Sequence, residues 1–149
     1  RPRVDWLAGN GLDLADGIRC DASGGFAPDA YAVGDVAAWP APHGGVARVE
    51  HQTRAIEHAL AVAATICGET PADLGPAYFW SELFDVRIQA VGEFPPGAAV
   101  RVLAGDVGAG RFVLAVEHEG RDRGVIGWAM PREFRAARAS LDPVAGALR

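Results

Sequence analysis

Asp35 is the residue of this chain best placed to do chemistry. It lies in the run Tyr31-Ala32-Val33-Gly34-Asp35-Val36-Ala37, which predicts a short buried strand that ends in Gly-Asp and turns towards a helix. Gly34 lets the backbone approach a bound group closely. Asp35 would place a carboxylate at the carboxyl end of a strand, where α/β sheets bind ligands. A carboxylate accepts two hydroxyl hydrogen bonds, so a sugar or ribityl chain would suit it. The alternative is a plain turn in which Asp35 caps the next segment, since Gly-Asp is a common turn pair. A second cluster, Glu50-His51-Gln52, opens a predicted helix. Helix N-termini carry free N–H donors and partial positive charge. The cluster is either an anion-facing helix end or an exposed first turn with Glu50 favoured by the dipole. Phe79-Trp80 is an aromatic pair of the kind that more often packs than acts. Arg132, Arg135 and Arg138 recur at i, i+3 and i+6. They form either a solvated helix face or a docking surface for an acidic protein, acting mainly on encounter rate.

The elements that must position these residues fall into two regions. Residues 1–40 read as short, turn-rich segments, with Asp16-Gly17 and Gly24-Gly25 as turn signals and Ile18–Asp21 as a short strand. Residues 40–48 read as a loop. A helix is predicted from Val49 to about Cys67, with Ile56, Ala59, Leu60, Ala63 and Ile66 as its apolar stripe, Gly68 as its stop and Pro71 beyond it. Pro71 to Pro76 reads as a linker. Beyond it the pattern becomes strand-like: Leu83–Val91 alternates as one half-buried strand, followed by Val100–Leu103, Arg111–Glu117 and Gly124–Ala129. The simplest arrangement is an antiparallel meander. Pro131 introduces a short basic helix through Arg138. The fold class is therefore an α/β fragment followed by a small α+β domain.

Composition narrows the chemistry. The chain has 149 residues, half of them hydrophobic and 22% charged, with a net charge of −5. That is globular composition, and a nucleic-acid binder would more often be basic. All 14 basic residues are arginine, which excludes a Schiff-base or phosphate-loop lysine here. The lysine-free, Ala/Gly/Arg-rich composition points to a GC-rich bacterial genome. Cys20 and Cys67 form no Cys-x-x-Cys pair, and His43, His51, His58 and His118 lack a metal-site spacing. No long apolar span and no signal peptide are read. Arg1 in first place fits a piece cut from a longer polypeptide or a processed chain.

Where Ala27-Pro28-Asp29-Ala30 runs into Tyr31-Ala32-Val33-Gly34-Asp35-Val36, the chain resembles the flavin-dependent pyridine-nucleotide oxidoreductases, most of all their ferredoxin and rubredoxin reductase branch. Val4–Leu12, Arg48-Val49-Glu50-His51-Gln52 and Tyr78–Val86 match the same branch in order and spacing. The resemblance implies that Asp35 bonds the ribityl chain of FAD, with Gly34 allowing close approach and Val36 offering backbone contact. It implies backbone contacts from His51 and Gln52 to the flavin pyrimidine edge, although the family often has Trp where Gln52 stands. It places Trp80 near the flavin, on the side where an iron–sulfur partner docks. Residues 1–70 would be the end of a Rossmann-like FAD-binding domain. Residues 76–149 would be the small C-terminal reductase domain, which can mediate homodimerisation in related families. The parent would be a cytoplasmic enzyme passing electrons from NAD(P)H through FAD to a ferredoxin or rubredoxin. The alternatives are an NADH oxidase, a nitrite-reductase-type flavoprotein, or a non-catalytic dimerisation or interaction module. The Gly-x-Gly-x-x-Gly turns expected for both dinucleotides are absent, so the piece alone is expected to be inactive and to bind FAD poorly.

Overall fold

The computed structural model describes residues 2–42, 44–139 and 141; Arg1, His43 and the tail of the second region lie outside them. The chain divides into two compact units, the first ending at Leu74 and the second beginning at Gly75.

The first unit opens with a 3-10 turn, Asp5–Leu7, and the short strand β1, Ile18–Arg19. A small antiparallel hairpin follows, β2 (Gly25–Ala27) and β3 (Ala30–Tyr31). A second 3-10 turn, Gly34–Val36, leads into β4 (Ala37–Pro40), β5 (Val46–Arg48) and the helix α1 (Gln52–Ile66). β1 pairs parallel to β4, and β4 antiparallel to β5. A single parallel pair and a single helix do not by themselves form a doubly wound sheet. The core is built from Val4, Ile18, Cys20, Ala32, Ala37, Trp39, Ala61 and Val62. Its residues are mostly small, which lets α1 approach the strands closely.

Several expectations are corrected here. Tyr31–Val33 is not a continuous buried strand: only Ala30–Tyr31 pairs, and Val33 is exposed. The Gly-Asp step turns into the buried strand β4, not directly into a helix. Residues 40–48 are not an open loop but close a hairpin, with Trp39 opposite Ala47 and Pro40 opposite Val46. The helix starts at Gln52, with His51 as an N-cap whose backbone is still extended.

The face that α1 buries also differs from the apolar stripe. Arg54, His58, Ala61 and Val62 are buried, whereas Ile56, Leu60 and Ile66 are 55%, 67% and 65% exposed. Hydrophobic spacing locates a face without saying what lies opposite it. Here the polar residues of the inner face have partners that the spacing cannot see. His58 stacks flat on Trp39, with ring centroids 4.1 Å apart and planes 4° apart. Arg54 pairs with Glu57 at 3.1 Å and donates to the carbonyl of Leu74 at 3.3 Å.

The buried imidazole has a pH consequence. Burial, reinforced by the nearby Arg54 charge, pushes the His58 pKa down from 6.5 to about 4. The folded state therefore favours the neutral ring, so this contribution is complete above pH 6.5 and is lost as pH falls towards 4. The first unit should lose on the order of 2–3 kcal/mol across that window. Urea midpoints measured between pH 7 and 4 test this. His58→Phe, which keeps the stack but cannot protonate, should flatten the dependence, and an equally steep curve in that variant would assign it to the carboxylates.

The second unit is an antiparallel sheet of five strands with one helix: β6 (Tyr78–Leu83), β7 (Val86–Gly92), β8 (Ala99–Asp106), β9 (Arg111–His118), β10 (Arg121–Trp128) and α2 (Pro131–Arg138). The expected single strand Leu83–Val91 is two strands. The chain reverses at Phe84-Asp85, where Phe84 takes φ 53° and Leu83 pairs with Val86. No glycine or proline marks that turn, so the apolar alternation runs across it. Phe79 and Trp80 therefore belong to edge strand β6 and do not merely precede the sheet. The order β6-β7-β10-β9-β8 also departs from a simple meander. β8-β9-β10 is one, but β10 then pairs with β7, which places it at the centre. The core consists of Val91, Val113, Val125 and Phe134 of α2, with Tyr78, Ala104 and Met130 at its margin. Gly127 lies flush against the Phe134 ring, 2.8 Å from where a Cβ would stand.

Candidate functional site

The structure brings Gly34, Asp35, Val36, His51 and Gln52 together in the first unit. The Gly34–Val36 turn packs on the start of α1. Gly34 adopts φ +69° and lies against Ala55, 3.4 Å from its Cβ along the direction a side chain would take. A residue with a side chain would be strained in its backbone there, with its Cβ in contact with Ala55. Asp35 is exposed. Its carboxylate takes no hydrogen bond among the described residues, while its main-chain carbonyl is held from behind by Arg48 at 3.0 Å. Val36 is half-buried and leads into β4.

α1 begins beside this turn. His51 is its N-cap in an extended conformation (φ −120°, ψ 132°), and its side chain makes no capping hydrogen bond to the helix. The first helical N–H to find a carbonyl in its own chain direction is that of Ala55, bonded to His51 at 3.0 Å. Burial, with the Arg54 charge, lowers the His51 pKa, and the Asp35 carboxylate opposes that shift. The two side chains thus share one electrostatic environment. Gln52 is exposed at the first helical position. The arrangement is a free carboxylate on a tight turn beside an uncapped helix start. It can accept hydroxyl hydrogen bonds at one place and donate main-chain N–H bonds, with a favourable dipole, at another. These donors and acceptors fit a ribityl chain and an electron-rich ring edge.

Trp80 lies in the second unit, on β6 opposite Gln89 and 41% exposed. Its ring stacks near Tyr78, with centroids 5.8 Å apart. Tyr78 accepts a hydrogen bond from Gln89 at 2.8 Å and carries the Arg138 guanidinium 5.3 Å over its ring. Of the three arginines expected on one face of the last helix, Arg138 is thus engaged in a cation–π contact, and Arg132 and Arg135 are exposed.

Arg48 is the residue to which the sequence assigned no role. It touches the turn, the loop before β1 and the approach to α1. Its one signal in the sequence is its place at the head of the run Arg48-Val49-Glu50-His51-Gln52, which does not show what its side chain holds.

Residues 78–145 match the reductase C-terminal domain family. The chain is 34% identical over 124 residues to a ferredoxin–NAD(P)(+) reductase of Sphingomonas sp., covering 80% of this chain and 30% of that protein. It is 33% identical over 140 residues to the ferredoxin reductase component of chlorobenzene dioxygenase from Cupriavidus sp. (strain PS12), covering 89% and 34%. Among solved structures, the covalent putidaredoxin reductase–putidaredoxin complex superposes with a TM-score of 0.84 at 25% identity, over 93% of this chain and 33% of that one. A ferredoxin reductase from Rhodopseudomonas palustris gives 0.73 at 30% identity, over 86% and 32%. The chain belongs to the ferredoxin reductase family and corresponds to a C-terminal part of it. It spans about a third of the length of the curated relatives it matches.

Proposed function

We propose that this chain is part of an FAD-dependent NAD(P)H:ferredoxin reductase. Residues 1–70 contribute the end of the FAD-binding domain, and residues 76–149 are its C-terminal reductase domain. The observation that carries the reading is the Gly34-Asp35 turn set against the uncapped start of α1. Gly34 lets the turn bend in the left-handed region close to α1, Asp35 accepts the ribityl hydroxyls, and Val36 offers main-chain contact. The main chain at His51 and Gln52 donates to the pyrimidine edge of the ring, which survives the loss of a tryptophan at position 52. When bound, FAD supplies two-electron acceptance from NAD(P)H and one-electron delivery. The chain's own residues bind and orient it.

The partner in this reading is a ferredoxin. Two relatives with more than 30% identity carry ferredoxin reductase names, while the likeness to an NADH:rubredoxin oxidoreductase, at 16% identity, carries the fold alone. Homodimerisation through the second unit belongs to the same reading, supported by the exposed apolar side chains Leu83, Val100 and Val102 on its sheet. A cytoplasmic location is supported by two free cysteines, Cys20 and Cys67, which fit a reducing compartment. No described helix is long and apolar enough to cross a membrane.

The full-length protein should purify with one FAD, show a flavin spectrum, and reduce a 2Fe–2S ferredoxin with NADH or NADPH; a colourless protein that takes up no FAD would end this proposal. Trp80 offers a finer test. Its partial exposure means Trp80→Ala should cost only about 1 kcal/mol of stability, less than the 3–5 kcal/mol of a fully buried ring. If the ring lines the route to ferredoxin, stopped-flow should show a slower second half-reaction with flavin reduction by NAD(P)H spared. Equal slowing of both steps would make it a packing residue.

A further inference from the structure

We infer that Arg48 is the positioning residue of the candidate flavin site, setting the Gly34–Val36 turn against the first turn of α1. The inference rests on reading that turn as flavin-binding. Arg48 is the last residue of β5, paired with Ala38 of β4, and its side chain is largely buried. Its Nε donates to Asp16 Oδ1 at 2.9 Å and its Nη1 to the carbonyl of Asp35 at 3.0 Å, and Nη1 also donates to Glu50 Oε1. One guanidinium therefore joins three segments: the loop before β1, the turn that carries Asp35, and the lead-in to α1. A planar fork can serve acceptors in several fixed directions at once, which a single ammonium cannot.

The path of the side chain is built for it. Gly17, at φ +89°, has no Cβ where one would stand 2.8 Å from Arg48 Cδ and 2.4 Å from the carbonyl oxygen of Val36. The aliphatic stem passes through that opening beneath the turn. Its charge also pairs with two carboxylates at once, Asp16 on the loop before β1 and Glu50 on the lead-in to α1. The hold on the Asp35 carbonyl fixes the peptide plane that follows Asp35 and hence the direction in which its carboxylate leaves the main chain. The hold on Glu50, two residues before Gln52, fixes where the helix N–H groups begin. Arg48 touches none of the groups assigned to the flavin, so it acts through Asp35 and α1.

The test compares full-length wild type, Arg48→Lys, Arg48→Met, Asp35→Ala and the Arg48→Met/Asp35→Ala double variant. FAD affinity is measured by titrating the apoprotein, with circular dichroism and melting curves to report folding, and the reduction potential of the bound flavin is recorded. Arg48→Met is expected to weaken FAD binding about tenfold or more and to shift the potential, with Arg48→Lys intermediate. Because Arg48 acts through Asp35, the two losses should fall short of additivity in the double variant. A folded Arg48→Met that keeps wild-type affinity and potential, or losses that simply add, would overturn the inference. If Arg48→Met does not fold, Arg48→Lys decides by the same two readouts. A silent Asp35→Ala would instead bring down the flavin reading of the turn, and the role of Arg48 with it.

Discussion

Phe134→Ala is expected to lower the stability of the second unit by about 3–5 kcal/mol, as truncating a buried aromatic does. Phe134 is 2% exposed and is the largest side chain in its core. It is the one fully buried residue of α2, a helix of eight residues that is too short to persist without packing. The ring meets Val91, Val113 and Val125 from three strands, touches the backbone at Gly127 and lies at 42° to Tyr78, with centroids 6.3 Å apart. Its removal leaves a cavity that a five-stranded sheet cannot collapse to fill. α2 should then detach, releasing Arg138 from Tyr78. Chemical denaturation followed by Trp80 and Trp128 fluorescence measures the loss, with Phe134→Leu as a control expected to cost about 1 kcal/mol. A loss below 1 kcal/mol in the alanine variant would show that the sheet holds its shape without the helix.

Asp35→Ala is expected to weaken FAD retention of the full-length protein by about 1.5–3 kcal/mol, the worth of a charge-assisted hydrogen bond, or roughly ten- to a hundredfold in affinity. The carboxylate is exposed and has no hydrogen bond to leave broken within the described chain, so the fold should survive its removal. The Asp35 carbonyl keeps its bond to Arg48, since only the side chain changes. The loss should therefore appear as flavin shed on gel filtration from a protein with an unchanged melting curve. Asp35→Asn, which retains one acceptor oxygen, should fall between the two. Unchanged flavin stoichiometry and affinity in the alanine variant would remove Asp35 from the site.

The local features of the candidate site were easier to read in the sequence than the fold around them. Gly34-Asp35 and Glu50-His51-Gln52 were readable because their chemistry is local: a glycine at a turn, a carboxylate beside it, and a helix about to start. Their meeting in space depends on the β4–β5 hairpin returning the chain from the turn to the start of α1. Nothing in Ala37–Arg48 signals that pairing except two prolines and two glycines, which equally fit a loop. The inner face of α1 was unreadable for another reason. His58 and Arg54 look solvent-facing in a hydropathy pattern, and only the flat Trp39 ring and the Leu74 carbonyl make them good neighbours inside. In the second unit the helix at Pro131 and three of the strands were legible from turn glycines and alternation. The reversal at Phe84-Asp85 was not, because a bulky residue occupies the left-handed turn position that glycine usually takes.

The two cysteines give the first unit a built-in chemical contrast. Cys20 is buried in its core, its thiol pushed up to about 11 mainly by burial, whereas Cys67 is exposed at the C-cap of α1. Thiolate is the species that reacts with alkylating reagents, so the native chain presents one nucleophilic handle and hides the other. A dye attached at Cys67 would sit about 22 Å along α1 from its uncapped start, by the rise of a helix of that length. The second thiol is uncovered only when the core around Ile18 and Trp39 opens. The rate at which it is modified therefore counts openings of the unit that carries Asp35, in the way amide exchange does. With no lysine in the chain, amine-directed reagents leave its side chains untouched.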